Sequence, residues 1–120
     1  MATTVSRRYS VADRPRVVVV SKRRDAIDTS KTVVALKGEL DAAALNTLVE
    51  TFDKAIAEDD SDVVVDLAGV EFIGAAWIGT LVRSRASLKS QDRVLTLRSP
   101  THGVNRLLEL CGLSYLIEPI

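Results

Sequence analysis

Residues 63–79 read VVVDLAGVEFIGAAWIG, a short apolar strand that runs straight into a helix. An α/β chain concentrates its chemistry at such a junction, because the first turn of a helix presents free amide hydrogens and the positive end of its dipole to an anion. Here the junction is Gly74, Ala75, Ala76 and Trp77. None of the four carries a hydroxyl, thiol, carboxylate or imidazole, so the position offers a surface to bind with and no group to react. The nearest hydroxyls are Thr80 and Ser84, further along the same helix. Other chemically capable residues stand alone. His102 has no second histidine and no clustered carboxylates, so no metal set is expected and the residue reads as a surface position at a helix start. Cys111, beside Gly112 in an apolar stripe, reads as a buried, inert thiol. Asp66 lies within a buried run and is expected to accept a hydrogen bond from neighbouring backbone. There is no glycine-rich phosphate loop, nucleophile elbow, CxxC or HExxH. Neither enzymatic activity nor a cofactor is expected.

The elements that must position this junction follow from the pattern. With 120 residues the chain is long enough for one domain with a single core. Residues 16–21 read as a strand, 22–30 as a polar turn, and 32–36 as a second strand that could pair with the first. Gly38, Glu39, Leu40 and Asp41 then break the run, and the Asp41 carboxylate is placed to cap the helix that follows. Leu45, Leu48, Val49, Phe52 and Ile56 recur at helical spacing. Val63, Val64, Val65 and Leu67 form a β-branched run suited to a central strand covered on both faces. A helix over 75–90 turns Ile78, Leu81, Val82 and Leu88 inward, and a fourth strand covers 94–97. Pro100 opens a last helix with Val104, Leu107, Leu108 and Cys111 inward, and Gly112 stops it. Residues 115–117 read as a short edge strand. This order predicts an α/β fold: one domain over 16–120, with a mixed sheet of four to five strands and about three helices packed largely on one face.

Charge and composition exclude several functions. Lys plus Arg and Asp plus Glu are equal at 16 each, so no global field draws the protein to nucleic acid or membrane. Arg7, Arg8, Arg14 and Arg16 make the N-terminus basic. Asp13, Pro15 and the strand that follows argue for a flexible leader over residues 1–15 rather than a transit peptide, and a phosphate-binding arm lacks interleaved aromatics. One cysteine excludes an internal disulfide and fits a reducing cytosol. No apolar stretch approaches the roughly 20 residues that span a bilayer. A cytoplasmic protein without membrane contact is expected. A receiver domain would need an acidic pair after its first strand, whereas Asp59 and Asp60 follow a helix.

Three blocks, GELD at 38–41, VVVDLAGVEFIGAAWIGTL at 63–81 and PTHGVNRLLELCGL at 100–113, resemble the signatures of the STAS domain of bacterial anti-sigma factor antagonists. The resemblance implies a function exercised by binding an anti-sigma factor, often a serine kinase, which frees a sigma factor for transcription. In similar family members an apolar pair is followed by Asp-Ser-Ser-Gly, whose first serine is phosphorylated. In this chain Phe72 and Ile73 match the apolar pair, Gly74 the aspartate, Ala75 the phosphorylated serine, Ala76 its neighbour and Trp77 the glycine. The phosphoryl acceptor is therefore missing, with Thr80 or Ser84 as substitutes. The implied partner-binding face combines Asp41, Gly74, Ala75, Ala76 and Trp77. Asp41 can equally be a helix cap, and Trp77 either an exposed anchor or a core residue. Two other readings stay open: a STAS subunit of a lipid-handling ABC transport complex, and a structural homodimer.

Overall fold

The expected alternation of strands and helices closes into one sheet whose spatial order follows chain order. The computed structural model describes residues 7–10, 19–40 and 45–119, with backbone alone for 7–10, Val19, Thr47 and Leu48. The elements are β1 (Arg7–Ser10), β2 (Val19–Arg24), β3 (Lys31–Leu40), α1 (Leu45–Ala57), β4 (Asp62–Ile73), α2 (Ala75–Lys89), β5 (Leu95–Arg98) and α3 (His102–Leu110). β1 to β3 are antiparallel neighbours, while β3–β4 and β4–β5 are parallel, joined by the α1 and α2 crossovers. That is a mixed five-stranded sheet.

All three helices share one face of it. Val20 of β2 lies opposite Leu36, Val34 opposite Val65, and Val63 and Val65 opposite Leu95 and Leu97. These residues form a single buried cluster with Phe52 and Ile56 of α1, Trp77, Ile78, Leu81 and Leu88 of α2, and Val104 and Leu108 of α3. Burying each such large side chain contributes about 1.5–3 kcal/mol. The opposite pleat holds Val33 and Val64, which pair directly and are both fully buried. β4 is thus covered on both faces along its apolar run, as its composition implies.

The central ladder departs from simple alternation. β3 has 10 residues and β4 has 12. The two extra residues enter at register shifts between Ala35 and Lys37 and between Gly38 and Glu39, each opposed by one more residue on β4. Each bulge reverses which side chains face inward. The buried set on β4 therefore moves from Val63, Val65 and Leu67 to Val70 and then to Ile73, leaving Glu71 and Phe72 outside. Gly38, at φ 116°, takes up the distortion on β3.

Several boundaries differ from the sequence reading. β2 runs beyond the expected end at 21, because its pairing with β3 extends to Arg24 opposite Thr32; residues 16–18 lie outside the described residues. Gly38-Glu39-Leu40 does not break the strand: Leu40 still pairs with Ile73 and is buried. Within the expected leader, Arg7–Ser10 pairs with Val19–Lys22 as β1. Residues 115–117 form no strand; a 3-10 turn covers Ser114–Leu116, and Ile117 makes a lone parallel bridge to Leu97. Val82 and Cys111 are exposed rather than inward. α3 ends one residue before Cys111, where Gly112 at φ 72° donates to Glu109 O and Leu113 to Leu108 O, so the thiol turns outward with the departing chain.

Polar groups fix the ends of these elements. Arg93, 6% exposed, donates from Nε to Ser61 O at 2.8 Å and from Nη2 to Ile56 O at 2.9 Å, satisfying a carbonyl at the end of α1. Asp66 accepts from Ala68 N, the local backbone bond expected of it. Arg98 bridges Asp25 after β2 and Glu118 near the C-terminus: Nη2 lies 3.1 Å from Asp25 Oδ2, and Nε donates to Glu118 Oε1. The Arg98 hydrogen bond holds the Asp25 carboxyl below its ordinary value, and Glu118 and Asp25 together raise the Arg98 guanidinium above its own.

Because the folded value for Asp25 is depressed, its contribution to stability is full above the unfolded value of about 3.9 and is lost as pH falls through the folded one. Asp25→Asn is expected to lower the melting temperature at neutral pH and to flatten its fall below about pH 4. Parallel acid titrations of the two proteins by thermal melting check this. A second expectation concerns Asp92, which sits at φ 58° just after α2, where Arg93 N returns to Leu88 O and Asp92 N to Lys89 O. Asp92→Gly should stabilise the fold by about 0.5–1 kcal/mol, read from denaturant midpoints.

Candidate partner-binding surface

The start of α2 is built by the end of the β3–β4 ladder. Gly74 N donates to Leu40 O at 2.8 Å, continuing the sheet pairing by one residue. Gly74 O then accepts from Trp77 N and Ile78 N, which begins the helix. Gly74 has ordinary extended backbone, φ −82° and ψ 159°, so its conformation does not require glycine. Space favours it: a Cβ there would sit 3.3 Å from Leu40 O, a tight contact to which the ladder would have to yield slightly. No side-chain cap is made to this helix among the described residues. Its first turn carries Ala75 and Ala76, both exposed.

Around this helix start lies an apolar, small-residue surface. Phe72 is 52% exposed and Val82 38% exposed, with Ala75, Ala76 and Ala86 open beside them. Phe72 and Val82 were not recognised as surface residues from the sequence. Phe72 lies on the outward phase that Val63, Val65 and Leu67 set, because the two bulges reverse the alternation at Val70 and then restore it. Val82 sits just past Ile78 at the edge of the buried arc of α2, on a helix whose apolar residues are not confined to one stripe.

The expected site residues separate into three groups. Gly74, Ala75 and Ala76 stand together at the accessible helix start. Asp41 lies outside the described residues. Trp77 is a correction: it is 1% exposed and packs edge-on against Phe52 of α1, ring centroids 5.5 Å apart at 75°. Its ring is accommodated against α1 through this edge contact with Phe52, itself fully buried. Its indole N–H has no hydrogen-bond partner among the described residues. A buried side chain cannot anchor a partner without unpacking the core. Thr80 and Ser84 are likewise turned inward, 4% and 7% exposed. Thr80 Oγ1 donates to Ala76 O and accepts from Arg83 Nη2. Neither hydroxyl is open to a kinase in the folded protein. His102 is exposed at the first position of α3, as expected. Among the described residues no cluster of His, Cys, Asp or Glu could hold a metal ion, and no helix is long and apolar enough to cross a membrane.

Comparison with known proteins places this geometry. Residues 24–118 match the family described as Mlab, STAS domain. The anti-sigma-B factor antagonist of Staphylococcus epidermidis is 28% identical over 85 residues, covering 71% of this chain and 79% of that protein. A STAS domain protein from Planctomyces limnophilus, described as an anti-sigma-factor antagonist, shares the fold with a TM-score of 0.68 at 22% identity, over 82% of this chain and 86% of its own. The anti-sigma factor antagonist SpoIIAA in its unphosphorylated form shares it with a TM-score of 0.65 at 17% identity, over 81% and 85%.

The burial of Trp77 gives a direct test. Trp77→Ala is expected to cost about 3–5 kcal/mol of stability, measured by denaturant unfolding, whereas Trp77→Phe should cost far less because the indole N–H makes no bond to lose. Unchanged stability in the alanine variant would contradict the packing.

Proposed function

Since the chain belongs to the STAS domain family, matched over residues 24–118, we propose that it is an anti-sigma factor antagonist: it binds a kinase-like anti-sigma factor and thereby releases a sigma factor. The observation that carries the reading is the exposed, hydroxyl-free start of α2, where Ala75 and Ala76 stand exposed beside Phe72 and Val82. The similarity to the antagonist of Staphylococcus epidermidis supports it.

A phosphoserine at this helix start would add nearly two negative charges to the binding face and alter it by repulsion and desolvation. Ala75 and Ala76 have no oxygen to accept a phosphoryl group, and Thr80 and Ser84 are inward-facing. The protein therefore stays competent to bind when its relatives of the serine type would be switched off. Binding uses Phe72, Val82 and the small residues of the α2 face as an apolar patch, and Asp41, matched to the family's binding face, contributes charge. Trp77 supports the patch from beneath.

A second reading has one observation in its favour, the Mlab name in the description of the matching family. In that reading the domain is a subunit of a lipid-handling ABC transport complex, and the same face of α2 meets its neighbour. Copurification from the native cell separates the two, giving a kinase-like protein in the first case and an ABC ATPase in the second. Recovery of the chain alone as a dimer would leave a structural homodimer.

With the copurified kinase and ATP, the wild-type protein is expected to bind without gaining phosphate, while Ala75→Ser gains it and then releases the kinase. Mass spectrometry of the intact proteins and a pull-down read both outcomes. Stoichiometric phosphate on the wild type would end the constitutive reading.

A further inference from the structure

A cleft of about 400 Å³ opens between α1 and α2, on the flank away from the start of α2. Its size falls in the range of small-molecule sites. The groups around it are unevenly committed. Arg93 spends its donors on Ser61 O, Ile56 O and Gln91 Oε1, and Asp59 is held by Ser61 and Lys22. Asp53 and Asp60 also line the cleft, yet neither makes a hydrogen bond or ion pair among the described residues. Ser84 is the decisive group. It is 7% exposed, lines the cleft, and its hydroxyl has no protein partner among the described residues.

The sign of the local field follows from the backbone. The cleft is lined by Ile56 and Ala57 at the end of α1 and by Leu88 and Gln91 at the end of α2, so the negative poles of two helix dipoles converge on it. The free carboxylates of Asp53 and Asp60 add to that potential. Arg83, at the rim, directs Nη2 to Thr80 Oγ1 and leaves the acidic side uncompensated. What is unused is therefore acceptor capacity and negative charge, with one inward hydroxyl beside them.

We propose that this cleft binds a small organic ammonium compound, its charged head on Asp53 and its second polar group on the Ser84 hydroxyl. Burial raises the Asp53 carboxyl above its ordinary value, which an ammonium ion bound against it would reverse. The site is separate from the Phe72–Val82 patch and does not depend on which macromolecule that patch meets.

The test is a titration of the full chain with putrescine, followed by amide chemical shifts and calorimetry against sodium chloride at matched ionic strength. Saturable binding is expected, with shifts centred on Asp53, Ser84 and Ser87. Asp53→Asn should weaken it about tenfold or more, and Ser84→Ala measurably, each with a melting temperature close to wild type. Ser84→Ala removes the hydroxyl without adding bulk, so its fold is retained. Absence of saturable shifts, equal affinity in Asp53→Asn, or saturation by inorganic phosphate at Arg83 in place of putrescine would each overturn the proposal.

Discussion

Between Lys31–Leu40 and Asp62–Ile73, ten residues pair in parallel with twelve. A parallel ladder in the middle of a sheet must satisfy its backbone groups and bury its side chains at once, and here the longer strand absorbs the mismatch as two bulges. Each bulge rotates the following side chains to the other face. The buried sequence Leu67, Val70, Ile73 results, in place of a period of two. By the end of β4 the chain is phased so that Ile73 is in the core, Phe72 is outside, and Gly74 N still reaches Leu40 O. The start of α2 inherits its position and its exposed apolar neighbour from this phase.

The helix face of the sheet is closed by apolar packing, and the loops are closed by arginine. Arg93 ties the ends of α1 and of the loop before β4 to the turn after α2. Arg98 ties the turn after β2 to the segment after α3. Both are planar, multi-donor groups that can satisfy several acceptors from one position, a task for which lysine is poorly suited. Such bonds set geometry more than they set net stability, since pairing partly buried charges offsets the cost of desolvating them.

The chain combines the STAS architecture with an exposed, hydroxyl-free turn at the start of α2. In a phosphorylation-controlled protein the N-terminus of a helix is an effective place for the switch, because its dipole and free amides respond strongly to a new anion. Ala75 and Ala76 stand at such a helix start and carry no oxygen to which an anion could be attached. The buried Trp77 that follows them packs against Phe52 of α1.

Much of the fold was legible in the sequence, because β-branched runs and helical stripes report burial over several residues at a time. α2 begins at Ala75 as read, β4 is central, three helices share one face, and Gly112 ends α3 through its positive φ. The missing hydroxyl at Ala75 is a fact of the sequence alone. What pattern could not supply was the phase of side chains after a bulge, since inserted residues leave composition unchanged while reversing direction. Val70 turned inward for that reason. Trp77, Thr80 and Ser84 turned inward because α2 meets α1 as well as the sheet, and a helix packed on two neighbours buries a wider arc than its apolar stripe announces. The cleft beside Ser84 has the same origin: its walls come from residues more than twenty positions apart, brought together only when two crossover helices lie side by side on one sheet.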